Sequence, residues 1–178
     1  MRRRAFAGVA VAAGLAGAGF SWWRIREQER DRQIADAAVA LFFQQTLTDS
    51  AGKVFAFEQF RGNPVVVNFW ATWCAPCVEE MPELSSLAEE VRDSGVRFVG
   101  VGVDNQDAIA RFSRQLPVSY PLVVANATGA FLAGKFGNTA GALPYTVVLD
   151  ATGRIKQQIL GRVRIDSLRE VLKSADLR

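Results

Sequence analysis

Residues 65–77 read VVVNFWATWCAPC, and this stretch contains both of the chain's cysteines. Its first six residues form an apolar run interrupted only by Asn68, which is typical of a strand buried on both faces of a parallel or mixed sheet. Cys74 and Cys77 follow with two residues between them, so their sulfurs lie within reach of a disulfide. The stretch therefore predicts a buried strand that ends in a cysteine pair.

The amino-acid composition excludes several other functions of a cysteine pair. The 178 residues contain no third cysteine and no histidine, so they offer neither a larger disulfide framework nor the usual four ligands of a zinc site. Val78 follows Cys77, which excludes haem attachment through C-x-x-C-H. A static disulfide is the structural alternative, but so short a loop stabilises little. We therefore predict a redox-active pair that uses no metal and no other cofactor.

The residues after the pair predict a helix that begins at the cysteines. Apolar residues recur at helical spacing over 84–91, and acidic residues precede them, as suits a helix N-terminus. Cys74 would then lie where unpaired amides and the helix dipole stabilise a thiolate, the form that attacks disulfides. Cys77, about one turn further in, would be more covered and would resolve the mixed disulfide.

The motif FWATWCAPC, residues 69–77, resembles the active site of the thioredoxin superfamily. Together with EEMP at 79–82, it is most similar to the membrane-tethered, periplasm-facing TlpA/ResA-like thiol-disulfide oxidoreductases. The resemblance covers residues 38–178 and implies that Cys74 and Cys77 are catalytic. It implies an α/β fold, a thioredoxin-like three-layer sandwich with a mixed central sheet, which an N-terminal hydrophobic helix would precede.

A second match lies at GALPYT, residues 141–146, just before the apolar run VVLD. It resembles the family's cis-proline loop, which implies a cis Leu143–Pro144 bond packed against the cysteines. The family uses the backbone beside this proline to hold an extended substrate strand, which is recognition by strand addition. The resemblance thus implies that Leu143, Pro144 and Tyr145 bind the substrate.

The residues around the cysteines have structural as well as functional interpretations. Glu80 is either an ordinary first-turn charge or, by the resemblance, a carboxylate that assists proton transfer at the second cysteine. Trp73 is expected to shield the first sulfur and to contact the partner. Pro76 is a helix-start proline that also fixes the turn presenting the nucleophile. We expect Asn68 and Thr72 only to satisfy backbone groups.

Length and charge narrow the class of protein. A content of 49% hydrophobic and 22% charged residues is ordinary for a globular chain, and this length fits one domain of about 100–150 residues plus an appendage. The arginines at 2–4 account for the whole net charge of +3, so no nucleic-acid partner is expected. We predict a signal-anchor or signal peptide over 1–24, a charged spacer over 25–37 and a thioredoxin-like domain over 38–178.

The N-terminus predicts export from the cytoplasm. An uncharged stretch at 5–23 follows the arginines and has about the length that crosses a bilayer as a helix. Trp22 and Trp23 favour a retained anchor, whereas weak hydrophobicity and the small residues Ala16-Gly17-Ala18 favour a cleaved signal. Both alternatives stay open. Either one, with the resemblance, predicts a domain facing the periplasm, anchored in the inner membrane or secreted.

The remaining sequence predicts an alternation of strands and helices. In chain order, we expect strands at 41–46 and 54–57 around a turn, a strand at 97–103, and a helix capped by Asp104. A loop followed by a strand over 117–124, a short helix at 130–136, a hairpin of 146–150 with 154–160, and a closing helix at 164–175 complete the prediction.

The chemistry that follows is thiol-disulfide exchange. The Cys74 thiolate attacks a partner disulfide, and Cys77 then resolves the mixed disulfide. The resemblance implies that a membrane electron donor re-reduces the pair. Strong oxidants of the superfamily carry a histidine between the cysteines, whereas the spacer here is Ala75-Pro76. We therefore predict a reductase of protein disulfides, with apocytochrome c cysteines among its candidate substrates.

Three rival functions differ from this prediction in testable ways. A peroxiredoxin-type peroxidase of the same fold would have threonine three residues before the reactive cysteine, where this chain has Ala71. A copper chaperone of related fold would use a distal histidine, which the chain lacks. A non-catalytic peptide-binding module would use only the cis-proline groove and would need neither cysteine.

Overall fold

The structure is a computed structural model that describes the backbone of residues 2–174 and 177. Side chains are described for residues 19–174 and Leu177. The chain divides into two compact units, Met1–Ile34 and Ala35–Arg178. The predicted domain boundaries at 24/25 and 37/38 stay predictions.

Helix α1 spans Arg2–Phe43 and is the predicted N-terminal helix. Most of the uncharged stretch at 5–23, and the small residues at 16–18, lie outside the residues whose side chains are described. In the part of the chain that the structure describes, no helix has both the length and the hydrophobicity of a membrane span. Membrane anchoring and signal cleavage therefore stay predictions.

The remaining elements form a single sheet with helices on its two faces. The strands are ordered β2-β1-β5-β4-β3-β6-β7, with β3, β4 and β5 parallel and the other pairs antiparallel. Two short 3-10 helices lie at 57–60 and 92–94. The bounds are β1 Thr46–Asp49, β2 Val54–Ala56, β3 Val65–Trp70, α2 Ala75–Glu90, β4 Arg97–Gly102, α3 Gln106–Gln115, β5 Leu122–Val124, α4 Asn126–Lys135, β6 Tyr145–Leu149, β7 Ile155–Leu160 and α5 Ile165–Lys173.

The sheet lies between two layers of helices because its central strand, β3, is apolar on both faces. Val66 and Trp70 pack with residues of α2, α3 and α5 on one face. Val65, Val67 and Phe69 pack on the other face with α4 and the last turns of α1. The alternation of side chains along a strand produces this division. The predicted three-layer α/β sandwich with a mixed sheet is confirmed.

The predicted strand at 41–46 is wrong. Helix α1 continues through Phe43, and β1 begins only at Thr46. Phe42 and Phe43 are buried, and the ring of Phe42 lies 4.7 Å from that of Phe57. These apolar residues therefore cover the sheet from a helix end, and tertiary packing decides their conformation over their strand propensity.

Two helix starts also differ from the sequence prediction. The N-cap of α3 is Asn105, whose side-chain oxygen accepts a hydrogen bond of 2.9 Å from the Ala108 N–H. Asp104 is thus one residue too early to cap this helix. Helix α4 begins at Asn126, four residues before the predicted 130–136 segment. The other strands and helices of the prediction occur within a few residues of their expected positions.

Gly100 makes room for the buried indole of Trp70 beneath the cysteines. A Cβ atom at position 100 would lie 2.6 Å from Leu122 Cδ2 and 3.0 Å from Trp70 Nε1. The indole belongs to the same buried cluster as Cys74 and Cys77. The close approach of β4 to this indole therefore requires a residue without a side chain.

We expect Gly100→Ala to destabilise the protein by about 1–3 kcal/mol, because an extra methyl group overpacks a dense core. Gly134→Ala is the matched control, since a Cβ at that helical position meets nothing within 4 Å. This control should stabilise the protein by about 0.5–1 kcal/mol. Urea unfolding monitored by circular dichroism measures both changes. Equal effects of the two substitutions would contradict the steric interpretation.

Candidate active site

Cys74 and Cys77 form a disulfide where α2 begins. Cys74 is the N-cap residue, and its carbonyl accepts hydrogen bonds from the N–H groups of Cys77 and Val78. Pro76 lies in the first turn, where a missing N–H costs no hydrogen bond. The side chain of Cys74 is 6% exposed and that of Cys77 is fully buried. As predicted, the first cysteine is the one that solvent reaches.

The loop before β6 carries the cis peptide bond Leu143–Pro144. Leu143 is half-buried and packs against both core clusters, one of which contains the two cysteines. The Pro144 carbonyl accepts a 2.8 Å hydrogen bond from the Gly161 N–H. The predicted proline loop is therefore present in the cis form, and the residue that follows β7 is hydrogen-bonded to it.

A side-chain amide fixes the segment that leads into this loop. Asn138 Nδ2 donates to the Ala142 carbonyl at 2.9 Å, and Asn138 Oδ1 accepts from the Ala142 N–H at 3.2 Å. Asn138 is buried, whereas residues 139–142 are exposed. The amide pair holds an exposed backbone segment in place directly before Leu143.

Tyr145 is turned into the protein. Its side chain is 4% exposed, and its hydroxyl donates to the Phe136 carbonyl at 2.5 Å. Gln158 Nε2 donates to the same carbonyl at 2.5 Å. A substrate contact by the Tyr145 side chain would require it to leave this position. The geometry therefore favours a supporting role under the loop for Tyr145.

Glu80 is a buried carboxylate on the face of α2 that covers the sheet. One oxygen accepts from Asn68 Nδ2 at 2.8 Å, and the other accepts from the Val163 N–H at 2.8 Å. Asn68 also donates to Thr146 Oγ1 at 3.0 Å. The interpretation of Glu80 as an ordinary first-turn charge is wrong. The expectation that Asn68 serves only backbone groups is wrong as well.

Burial raises the pKa of Glu80 above the usual carboxyl value. Hydrogen bonds from Val163 and Asn68 and the charge of Arg162 oppose this rise, whereas the charge of Glu83 adds to it. Glu80 follows Cys77 by three residues on the same helix, so the raised pKa makes this carboxyl group a candidate to exchange a proton with that thiol.

The segment before the nucleophile is anchored on one side and open on the other. The Thr72 hydroxyl donates to the carboxylate of Asp104, so the expectation that Thr72 serves only backbone groups is also wrong. Trp73 is 71% exposed, which leaves its indole free to contact another molecule. Among the described residues, no three Cys, Asp or Glu side chains come together as metal ligands.

The fold and this site define the class: a thioredoxin-like thiol-disulfide oxidoreductase. The family model of Redoxin matches residues 35–172. The thiol-disulfide oxidoreductase ResA of Bacillus thuringiensis subsp. konkukian (strain 97-27) is 32% identical over 130 residues, which is 71% of this chain and 72% of that protein. ResA of Geobacillus kaustophilus (strain HTA426) is 30% identical over 129 residues, with 72% of each chain covered. The chain therefore belongs to the redoxin family and to its TlpA/ResA-like members.

Solved structures agree with this assignment. MTB DsbF, described in mixed oxidized and reduced forms, is 27% identical, with a TM-score of 0.63 over 73% of this chain and 93% of that one. A thiol:disulfide interchange protein of the thioredoxin family from Chlorobium tepidum TLS has a TM-score of 0.65 at 23% identity, covering 72% of this chain and 90% of that one. This second likeness supports the fold alone.

Sequence motifs indicate the site residues that lie close together in the chain, but not the residues that meet only through folding. Asn68 carried a usable signal, because it is the only polar residue in the apolar run at 65–70, and a buried polar group needs a partner. Val163 and Arg162 carried none, since they lie more than 80 residues from Glu80 along the chain. Only the pairing of β6 with β7 brings them to α2.

The raised pKa of Glu80 predicts a pH-dependent stability difference from Glu80→Gln. A carboxyl whose folded pKa exceeds its unfolded value, about 4.3, contributes stability that is complete below that value and is lost as pH rises through the folded pKa. Because glutamine does not ionise, the difference in the free energy of unfolding should shift in favour of the variant as the pH rises above about 4.3 and through the folded pKa. Urea unfolding of the oxidised proteins across this range measures the shift.

Glu89→Gln is the matched control for this experiment, because Glu89 lies on the same helix and its side chain is 63% exposed. Its stability difference from the native protein should change little with pH. A flat difference for Glu80→Gln over the same range would contradict the raised pKa.

Proposed function

We propose that this thiol-disulfide oxidoreductase is a reductase of protein disulfides that works outside the cytoplasm. The observation that carries the proposal is the arrangement of three parts: a cysteine pair at a helix start, a cis-proline loop packed on the same core cluster, and a buried carboxylate with a raised pKa. The spacer Ala75-Pro76 offers no cation to stabilise the thiolate further. The reduced pair therefore gives up its electrons readily.

The exchange starts from the reduced protein. The Cys74 thiolate attacks one sulfur of the partner disulfide, a mixed disulfide forms, and the other partner sulfur leaves as a thiolate that takes up a proton. Glu80 accepts the proton of the Cys77 thiol. The Cys77 thiolate then attacks the Cys74 sulfur and releases the second partner thiolate. Two electrons have moved from the pair to the partner, and Cys74 and Cys77 are joined.

Substrate binding is assigned to the backbone beside Leu143. Pro144 uses its carbonyl to bind Gly161, so the edge offered to a partner is the segment before the proline. The Asn138–Ala142 amide pair holds that segment in place, where its exposed backbone can pair with a substrate strand. The exposed indole of Trp73 adds an apolar contact next to the reacting sulfur.

The cellular setting follows from the N-terminus and from the direction of electron flow. The arginines at 2–4 and the uncharged stretch at 5–23 support delivery to the periplasm, with an inner-membrane anchor or a cleaved signal. A reductase in an oxidising compartment needs a supply of two electrons per turnover, so we assign a membrane electron donor as the upstream partner. Cysteines of apocytochrome c are candidate substrates, since thioether formation to haem requires them reduced.

Trapping tests the assigned order of the two cysteines. The Cys77→Ala variant should retain its partner as a mixed disulfide through Cys74, because the resolving thiol is gone. Non-reducing electrophoresis and mass spectrometry would detect the adduct and identify the partner cysteine. The Cys74→Ser/Cys77→Ala double variant is the control and should retain nothing. If Cys74→Ala retained a partner and Cys77→Ala did not, Cys77 would be the attacking cysteine and the assigned order would be wrong.

The same variants separate the reductase from the non-catalytic binding module. If Cys74→Ser leaves the biological activity unchanged and neither single variant traps a partner, the cis-proline groove acts without the cysteines and the reductase proposal fails.

A redox titration tests the direction of electron flow. The reduction potential of the Cys74–Cys77 pair should lie nearer to the roughly −270 mV of thioredoxin than to the roughly −120 mV of a dedicated disulfide-forming oxidase. Pro76→His is the matched comparison, because a histidine beside the cysteines stabilises the thiolate and should raise the potential. A native potential as high as that of the oxidase would contradict the reductase assignment.

A further inference from the structure

Three consecutive residues between β7 and α5 connect the two halves of the site. We call Gly161-Arg162-Val163 the clasp segment. Its first N–H donates to the Pro144 carbonyl in the cis-proline loop at 2.8 Å, and its last N–H donates to the Glu80 carboxylate in α2 at 2.8 Å. A small movement of this segment would therefore alter the proline loop and the buried carboxylate together.

The middle residue of the clasp segment binds the active-site helix from the solvent side. Arg162 Nη1 lies 3.3 Å from Glu79 Oε2, and Arg162 Nη2 lies 3.5 Å from Glu83 Oε1. The two carboxylates stand four residues apart on α2, where like charges repel each other. The guanidinium between them offsets that repulsion and holds the segment against the helix.

The backbone on both sides of Arg162 is fixed. Gly161 has a φ of 86°, in the left-handed region that glycine adopts without strain. Val163 is 3% exposed and belongs to the core cluster of the cysteines. The guanidinium is therefore carried by a short segment with little freedom of its own.

The charged and titratable groups around Glu80 come from three parts of the fold. Arg162 favours the ionised carboxylate, whereas Glu83 on the same helix disfavours it. The hydroxyl of Tyr120, just before β5, is buried, and burial together with the Glu80 charge raises its pKa, which keeps it neutral. Strands β3 and β6 present only a neutral amide and a neutral hydroxyl. Arg162 is thus the cation that balances the carboxylates at this end of α2.

We propose that Arg162 is a positioning residue for Glu80, because it holds the clasp segment against α2 and supplies the positive charge that keeps the buried carboxylate able to accept a proton. The inference rests on the proposed role of Glu80 in proton transfer at Cys77. It adds an electrostatic reason for the two exposed carboxylates Glu79 and Glu83, which the cysteine chemistry does not use directly.

The test follows the resolving step in the reduced full-length protein. An aromatic disulfide such as DTNB releases one coloured thiolate when Cys74 attacks and a second when Cys77 resolves the mixed disulfide. The pH profile of the second phase reports the base at Cys77. We call the part of this profile in which the rate rises with pH its acid limb. In Arg162→Gln the acid limb should move to higher pH, so that the rate of the second phase on that limb is about two- to fivefold lower than in the native protein. Arg162→Lys should restore most of the native profile.

Arg169→Gln is the matched control. Arg169 also joins this helix pair, through Glu90 and Asp166, but it contacts neither Glu80 nor the clasp segment. Its profile should equal that of the native protein. If the pH profile of Arg169→Gln shifted as much as that of Arg162→Gln, loss of any ion pair on this helix would have the same effect. That result would overturn the specific role of Arg162.

Two further measurements separate this inference from the proposed function. If Glu80→Gln loses the acid limb of the pH profile, and Glu80→Gln/Arg162→Gln shows no further shift of that profile, the roles of Glu80 and of Arg162 are both supported. If Glu80→Gln keeps the limb, the role of Glu80 in the exchange fails. NMR titration of the Glu80 carboxyl carbon then tests Arg162 separately. A higher titration point in Arg162→Gln supports the effect of the guanidinium charge on Glu80, and an unchanged one overturns it.

Discussion

Strand β3 is the constraint on which the rest of the structure depends. It is parallel to β4 on one side, antiparallel to β6 on the other, and buried on both faces. Such a strand has no freedom of register, because a shift by one residue would exchange the two faces. Its end at Trp70 therefore fixes where the cysteine loop leaves the sheet, and β6 brings the cis-proline loop to the same edge.

The buried Glu80 illustrates how the fold tolerates a charge that a hydrophobic core would otherwise exclude. An unpaired ionised carboxylate in such a place is costly, and here a strand amide, a loop N–H and an exposed guanidinium share its stabilisation. Burial outweighs these contacts, so the pKa of Glu80 is raised. The same contacts connect α2 with β3 and with the segment after β7, so the chemistry and the packing of the site depend on each other.

Local sequence patterns predicted the parts of the site that lie within single elements. The VVVNFW run, the cysteine spacing and the helical periodicity after Pro76 each predicted an element that the structure contains. The prediction failed where packing between distant segments decides the outcome. Phe42 and Phe43 read as strand residues but end a helix, because the sheet face needed covering there. The sequence also carried no sign that the side chain of Tyr145 is buried under the proline loop, whereas its role in substrate binding stays a prediction.

By itself, the sequence determined that this protein carries one redox-capable cysteine pair at the junction of a buried strand and a helix, because spacing and hydrophobic period are local properties of the chain. Only the tertiary structure decided that Asn68, Glu80 and Val163 form one buried hydrogen-bonded group, and that Arg162 lies against α2. Those contacts join residues up to 83 positions apart. Their geometry exists only once β3, β6 and β7 have paired.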